Sequence, residues 1–262
     1  MLRRFTVKQV LLCASCLSIV VALAVTGGTV QNSAAEFSGQ EILSVARIAH
    51  GGADYAGLQN VTVQANGFVN AVAFGAMGAN PLGAAAEIKL KITDFQDKNN
   101  RRRLNVSPTA SLPGPTYLVF TGSEGGGMVF GNEFRVSESS VSRHWALMGF
   151  DTLNRAIEGQ LVSARQKDEG NDYVVEVKFS PSDTVRYGIN KQTFLIDKIV
   201  TRYNGNVLIE ETRSDYRRAE CMMLPYHVVT RLQGQRFADL NIETYDVKTK
   251  VPAATFTITA TP

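Results

Sequence analysis

The sequence predicts a mainly β protein with a few helices (α+β): a large curved antiparallel sheet or half-open β-barrel covered by one or two helices. Three observations predict it. After Gly159, short stretches rich in β-branched and aromatic residues succeed one another at regular spacing. The segments between them are tight and carry Asn, Asp, Gly and Pro. Only two stretches, 36–50 and 137–157, repeat their apolar residues at helical spacing.

The 262 residues are 44% hydrophobic and 19% charged, a globular balance with material for one large core. Lys and Arg number 27 against 24 acidic residues, a formal net charge of +3. Arg3, Arg4 and Lys8 account for that excess. The rest of the chain is balanced, so there is no electrostatic case for a nucleic-acid partner.

Residues 1–35 read as a signal peptide. Those three cations precede an apolar run at 10–25, and small residues follow it. Cleavage after Ala24 or after Ala35 fits the pattern. The run is shorter than the roughly 20 residues that span a bilayer, with an uncleaved anchor as the alternative. Residues 36–262 then form a single exported domain, periplasmic or associated with the outer membrane. Cys13 and Cys16 fall inside the signal, leaving Cys221 without an internal disulfide partner and expected as a small buried apolar residue.

Ser38 caps the first helix and Glu41, three residues on, completes a capping box. Ile42, Val45, Ala46 and Ala49 follow at helical spacing until Gly51-Gly52 ends it. From Asn60 the period becomes two. Val61, Val63 and Ala65 alternate with polar residues, and the pattern resumes at Val69. The Ala/Gly-rich stretch 71–86 reads as a loop or a loosely paired hairpin. Ile88, Leu90 and Ile92 then mark a half-buried strand. Arg101-Arg102-Arg103 reads as a solvated turn or strand edge, with anion contact as the rarer alternative. Pro108, Pro113, Gly114 and Pro115 make a loop before a strand at 117–120. Gly125-Gly126-Gly127 reads as a hairpin turn into 128–136, and it lacks the Lys and Ser/Thr of a phosphate loop.

In the second helical stretch Val141, Trp145 and Met148 recur at i, i+4 and i+7, widened by Leu147, Phe150 and Leu153, with a break at Gly149 and Asp151. Such a helix packs on a sheet, or acts as a lid whose apolar face touches a hydrophobic ligand. On the second reading Trp145, Leu147, Met148 and Phe150 are the cavity-lining candidates. The later strands fall at 161–166, 173–180, 184–189, 194–203, 207–214, 226–232 and 237–245. Asn204-Gly205 is the strongest hairpin signal among their turns.

Little here points to catalysis, so the chain reads as a non-enzyme. His50, His144 and His227 belong to no zinc motif, and core or surface roles are expected for them. No G-x-S-x-G elbow exists, although a Ser/His/Asp set could assemble in space. Glu210 and Glu211 are adjacent on a strand and so point to opposite faces. No cofactor or metal is expected. A curved sheet incompletely covered by helices leaves an apolar cavity of the kind that holds acyl chains.

Several segments carry a resemblance. Thr193-Phe194-Leu195-Ile196-Asp197-Lys198 precedes Ser214-Asp215-Tyr216-Arg217, then Leu224-Pro225-Tyr226-His227, then Pro252 and Phe256. This order, with an opening helix ending His50-Gly51-Gly52, resembles exported bacterial proteins of the outer-membrane lipoprotein-sorting (Lol carrier-like) family. Phe194-Leu195-Ile196 departs from the Leu-Pro of that pattern, and Cys221-Met222-Met223 fills a place that often holds a glycine turn. The resemblance implies a half-open barrel of about eleven strands around an apolar cavity closed by helices. It implies a periplasmic carrier whose partner is a lipid or acylated protein, with acyl chains buried in the sheet's concavity. The rival expectation is a non-catalytic envelope scaffold with a filled core, recruiting envelope proteins.

Overall fold

The computed structural model describes residues 37–70, 87–108, 114–136 and 139–258. The signal-peptide reading of 1–35, with its cleavage points, and the loop reading of 71–86 lie outside them. The described strands are β1 (Asn60–Asn70), β2 (Glu87–Asp97), β3 (Arg101–Pro108), β4 (Thr116–Phe120), β5 (Gly125–Val129) and β6 (Asn132–Arg135). After the helices come β7 (Gln160–Glu169), β8 (Asp172–Lys178), β9 (Asp183–Asn190), β10 (Ile196–Tyr203), β11 (Asn206–Ala219), β12 (Met222–Leu232) and β13 (Gln235–Asp246).

All join one 13-stranded sheet in the order β6-β5-β4-β3-β2-β1-β13-β12-β11-β10-β9-β8-β7. Two antiparallel meanders are thus welded by a single long-range pairing, β1 against β13, with Thr62 beside Asp246 and Val69 beside Ala238. The sheet does not close, and β6 and β7 are its edges.

The helices lie in its concavity. Helix α1 (Gly39–His50) begins with the predicted capping box: Glu41 donates its backbone N–H to Ser38 Oγ at 3.3 Å, and Ser38 N–H donates to the Glu41 carboxylate at 2.7 Å. Its Ile42, Leu43 and Ala46 are fully buried. A short helix α2 (Ala53–Gly57) follows. Helices α3 (Ser139–Leu147) and α4 (Thr152–Glu158) are separated at the expected break. Helix α1 packs on α4, β7 and β8.

Trp145 of α3 reports the curvature. It stacks on Phe120 of β4 at 5.3 Å and meets Phe237 of β13 edge-on at 5.1 Å. Three strands separate β4 from β13 in the sheet, so the sheet must wrap around α3 for one side chain to touch both.

Four local expectations are corrected. The glycine run lies inside β5, with the turn before it closed by Thr121 N–H donating to Glu124 O. A Cβ on Gly127 would stand 2.1 Å from Tyr117 O, so these glycines allow close strand approach. Phe130-Gly131, with φ of 51° and 81°, then turns the chain into β6 and divides the expected strand 128–136. Arg101-Arg102-Arg103 is neither a turn nor an edge but the start of β3, an interior strand. Cys221 is exposed, because it occupies the turn between β11 and β12.

Candidate functional site: a cavity with a charged floor

Alternation along β1 sends Val61, Val63 and Ala65 to the concave face and Thr62 and Gln64 outward. The registers carry that parity across the sheet. Val63 faces Asp94 and Val61 faces Gln96 on β2, while Gln96 faces Arg102 on β3. In the other direction Arg213 of β11 pairs with Val228 of β12, and Val228 with Leu240 of β13. The concave floor therefore holds a ring of aliphatic residues and, among them, Asp94, Gln96, Arg102, Glu211 and Arg213.

These side chains line a cavity of about 80 Å³, counted as volume open to the centres of water molecules. That is room for several waters, each needing roughly 10–15 Å³. Its roof is His50, Tyr55, Met148 and Phe150; its floor includes Val61, Val63, Ile92, Val228, Leu240 and Ile242.

The floor charges are paired. Arg102 Nη2 donates to Asp94 Oδ2 at 2.7 Å, and Gln96 Nε2 donates to the same oxygen at 2.6 Å. Arg213 Nε donates to Glu211 Oε1 at 2.6 Å. Burial works against both guanidinium charges, yet Asp94 beside Arg102 and Glu211 beside Arg213 outweigh it and raise both pKa values. Burial likewise pushes the Asp94 carboxyl up, and Arg102 offsets only part of that rise.

The same floor pins the segment between α3 and α4. Arg213 Nη2 donates to Met148 O at 3.0 Å, and Phe150 N–H donates to Gln96 Oε1 at 2.7 Å. Tyr55 Oη donates to Phe150 O from the roof. Three side chains thus satisfy backbone groups that two helix ends leave unpaired.

His50 fastens α1 to the sheet. Its Nε2 accepts from Ile196 N–H at 3.2 Å, so Nδ1 carries the proton and donates to Met223 O at 2.9 Å. Burial, reinforced by the nearby Arg213 charge and opposed in part by the hydrogen bond to Met223 O, lowers its pKa to about 4. The ring is neutral at pH 7.

Of the four residues that the helix pattern selects, the structure brings Met148 and Phe150 to the cavity wall. Trp145 is buried between Phe120 and Phe237, with Arg102 5.6 Å from its ring, and Leu147 is buried in the core. His144 is buried outside the cavity, its nitrogens on Ser140 O and Arg202 O. A Ser/His/Asp set does assemble: Ser214 Oγ lies 3.0 Å from His227 Nδ1, and His227 Nε2 lies 2.9 Å from Asp239 Oδ1. Strand parity puts it on the convex face, opposite the cavity, where Arg236 also binds Asp239.

No protein-family model matches the chain, and no curated protein matches it in sequence. Among solved structures it is similar to a LolA superfamily protein from Nitrosomonas europaea, at 14% identity and a TM-score of 0.51, over 85% of this chain and 98% of that one. A candidate outer membrane lipoprotein-sorting protein domain from Vibrio parahaemolyticus gives 12% identity and 0.46 over 83% and 95%. A DUF1329 family protein from Desulfovibrio piger gives 11% and 0.46 over 84% and 95%. The first of these likenesses shows the fold: a curved, unclosed sheet with helices in its concavity, as the sequence resemblance implies.

Proposed function

We propose that the protein is an exported carrier that holds a lipid, or the acyl chains of a lipidated protein, between its sheet and its helices. The observation that carries the reading is the cavity itself, an aliphatic concavity roofed by the segment joining α3 and α4. Its fold likeness to a LolA superfamily protein supports it, as do the basic, apolar and small-residue segments of 1–35.

In this conformation the cavity is too small for an extended acyl chain, so loading requires the roof to move. The hinge is short and its fastenings are few: Arg213 and Gln96 from the floor and Tyr55 from α2. Releasing them exposes Met148 and Phe150, and behind them Trp145, to the ligand. Burial of apolar surface at roughly 25 cal/mol per Å² then supplies the affinity.

The test is to purify the protein from its native envelope, extract it with organic solvent and analyse the extract by mass spectrometry. One defined lipid per protein supports the carrier. An empty extract from folded protein overturns it and favours an envelope scaffold. Titrating lipid against Trp145 fluorescence locates the ligand, since saturable binding that leaves the emission unchanged removes Trp145 from the loaded cavity.

A further inference from the structure

The convex face carries a relay of side chains for which a carrier has no use. Ser214 of β11 stands directly beside His227 of β12, and Asp239 of β13 lies on the next diagonal. His227 Nδ1 is 3.0 Å from Ser214 Oγ, and its Nε2 is 2.9 Å from Asp239 Oδ1. Asp239 decides which ring nitrogen carries the proton. Burial alone would raise that carboxyl, but hydrogen bonds from His227 and Arg236 outweigh it and hold it below the usual range. An ionised carboxylate only accepts, so the neutral ring donates from Nε2. The Nδ1 lone pair then faces the Ser214 hydroxyl, the polarity that a general base needs.

Each member is held by the one behind it. Arg236 binds Asp239 and lies 4.3 Å over the Phe68 ring of β1, so four strands anchor the relay. Exposure rises toward the reacting end: the Asp239 side chain is 15% exposed, that of His227 is 36% exposed, and Ser214 is open to solvent. Directly after Ser214, Asp215 has φ of 52°, a left-handed backbone that costs a non-glycine residue energy and recurs at functional sites. Arg217 pairs with the Asp215 carboxylate, so the charge next to Ser214 is compensated.

We propose that Ser214, His227 and Asp239 form a catalytic site on the convex face that cleaves short, activated acyl esters. Ser214 is the nucleophile, His227 the general base and Asp239 the positioning residue. Ser214 Oγ bonds to the ester carbonyl carbon as its proton passes to His227 Nδ1. The bond from that carbon to the leaving oxygen breaks, and the oxygen takes the proton from Nδ1. Water then attacks the acyl-serine by the same route, releasing a carboxylic acid and restoring Ser214. The substrate class follows from the open setting. Solvent, and not a fitted pair of donors, receives the developing oxyanion, which restricts the site to esters with good leaving groups. The inference goes beyond the carrier reading and does not depend on it, since relay and cavity lie on opposite faces.

A fluorophosphonate probe, which bonds stably to an activated serine oxygen, tests the nucleophile on the full chain at pH 7.5. One label per protein is expected on the peptide carrying Ser214, and none on the exposed Ser123. Hydrolysis of p-nitrophenyl acetate should fall to the uncatalysed rate in Ser214→Ala. It should fall about 100-fold in His227→Gln, a usual contribution of a positioned base. Asp239→Asn should slow labelling by a similar factor, because an amide that donates to Nε2 leaves the proton on Nδ1. Asp239→Glu keeps a carboxylate and should restore most of the rate; equal loss in both variants overturns the role of Asp239. Should the His227 or Asp239 variants fail to fold, the unaltered protein and Ser214→Ala, a truncation at an exposed position, still decide. No label at Ser214, an equal label at Ser123, or hydrolysis unchanged in Ser214→Ala overturns the inference and leaves the carrier standing.

Discussion

The concave face is two surfaces side by side. Under α1 and α4, strands β8 to β10 present Val175, Val177, Val185, Tyr187, Ile189, Ile196 and Ile199, all fully buried. Helix side chains Ile42, Leu43, Ala46, Leu153 and Ala156 complete that solid core. A few strands away, β1 to β3 and β11 to β13 present Asp94, Gln96, Arg102, Glu211 and Arg213 around a void. The two rival expectations for the chain, a filled core and a cavity, are both realised, in different sectors of one sheet. The filled sector anchors the helices, and the charged sector leaves a part of their roof held by hydrogen bonds that can be broken.

The sharpest break in this contrast comes from the charges. Arg213→Met removes the partner of a buried carboxylate and a fastening of the roof, and should cost about 3–5 kcal/mol in urea unfolding. Pairing it with Glu211→Leu should restore most of that loss, because the stranded charge goes too. If the single and double variants unfold alike, the floor pair is not buried as described.

Next come matched truncations. Ile199→Ala in the filled sector leaves a cavity where none existed and should cost about 3–4 kcal/mol. Ile242→Ala, at a half-buried position, removes less apolar surface from cover and should cost about 1–2 kcal/mol. Equal costs would erase the distinction between the sectors.

His50 gives the contrast a pH signature. Unfolded, its imidazole titrates near 6.5; folded, burial holds it at about 4. Between those values only the unfolded chain binds the proton. The stabilisation is complete above pH 6.5 and falls as pH drops toward 4, by about 3 kcal/mol for this shift. His50→Asn should flatten the stability profile across that window. A profile unchanged by the substitution would assign the acid sensitivity to other groups. The smallest effect expected is Ser38→Ala, which removes the α1 cap at about 1 kcal/mol and leaves the cavity sector untouched.

Most of the fold is legible in the sequence because the filled sector obeys simple alternation. The strands after Gly159, the Asn204-Gly205 hairpin, the α1 capping box and the break between α3 and α4 all stand where spacing puts them. Where sequence reading falters is the cavity floor. The alternation that marks β2 stops at Thr93, yet the strand runs on to Asp97, because its next inward positions hold Asp94 and Gln96. The arginine triplet hides the start of β3 for the same reason, since Arg102 points inward. Charge at inward positions erases the pattern that reveals strands, so failure of the pattern marks the site. Alternation along β11 puts Glu211 and Arg213 on one face, but no local signal pairs residue 94 with 102 or sets that pair beside them across one cavity; that information lies in the registers alone.

The seam between β1 and β13 governs how such a sheet assembles. Every other pairing joins strands that follow one another in the chain, and such local hairpins close quickly. The seam brings residue 62 beside residue 246, and closing a loop of that length costs on the order of 5 kcal/mol in chain entropy. The two meanders are therefore expected to form as separate ribbons before they join. Val61, Val63 and Ala65 lie on one side of the join, with Leu240, Ile242 and Tyr245 on the other. The cavity does not exist on either ribbon, and it appears only when folding is complete.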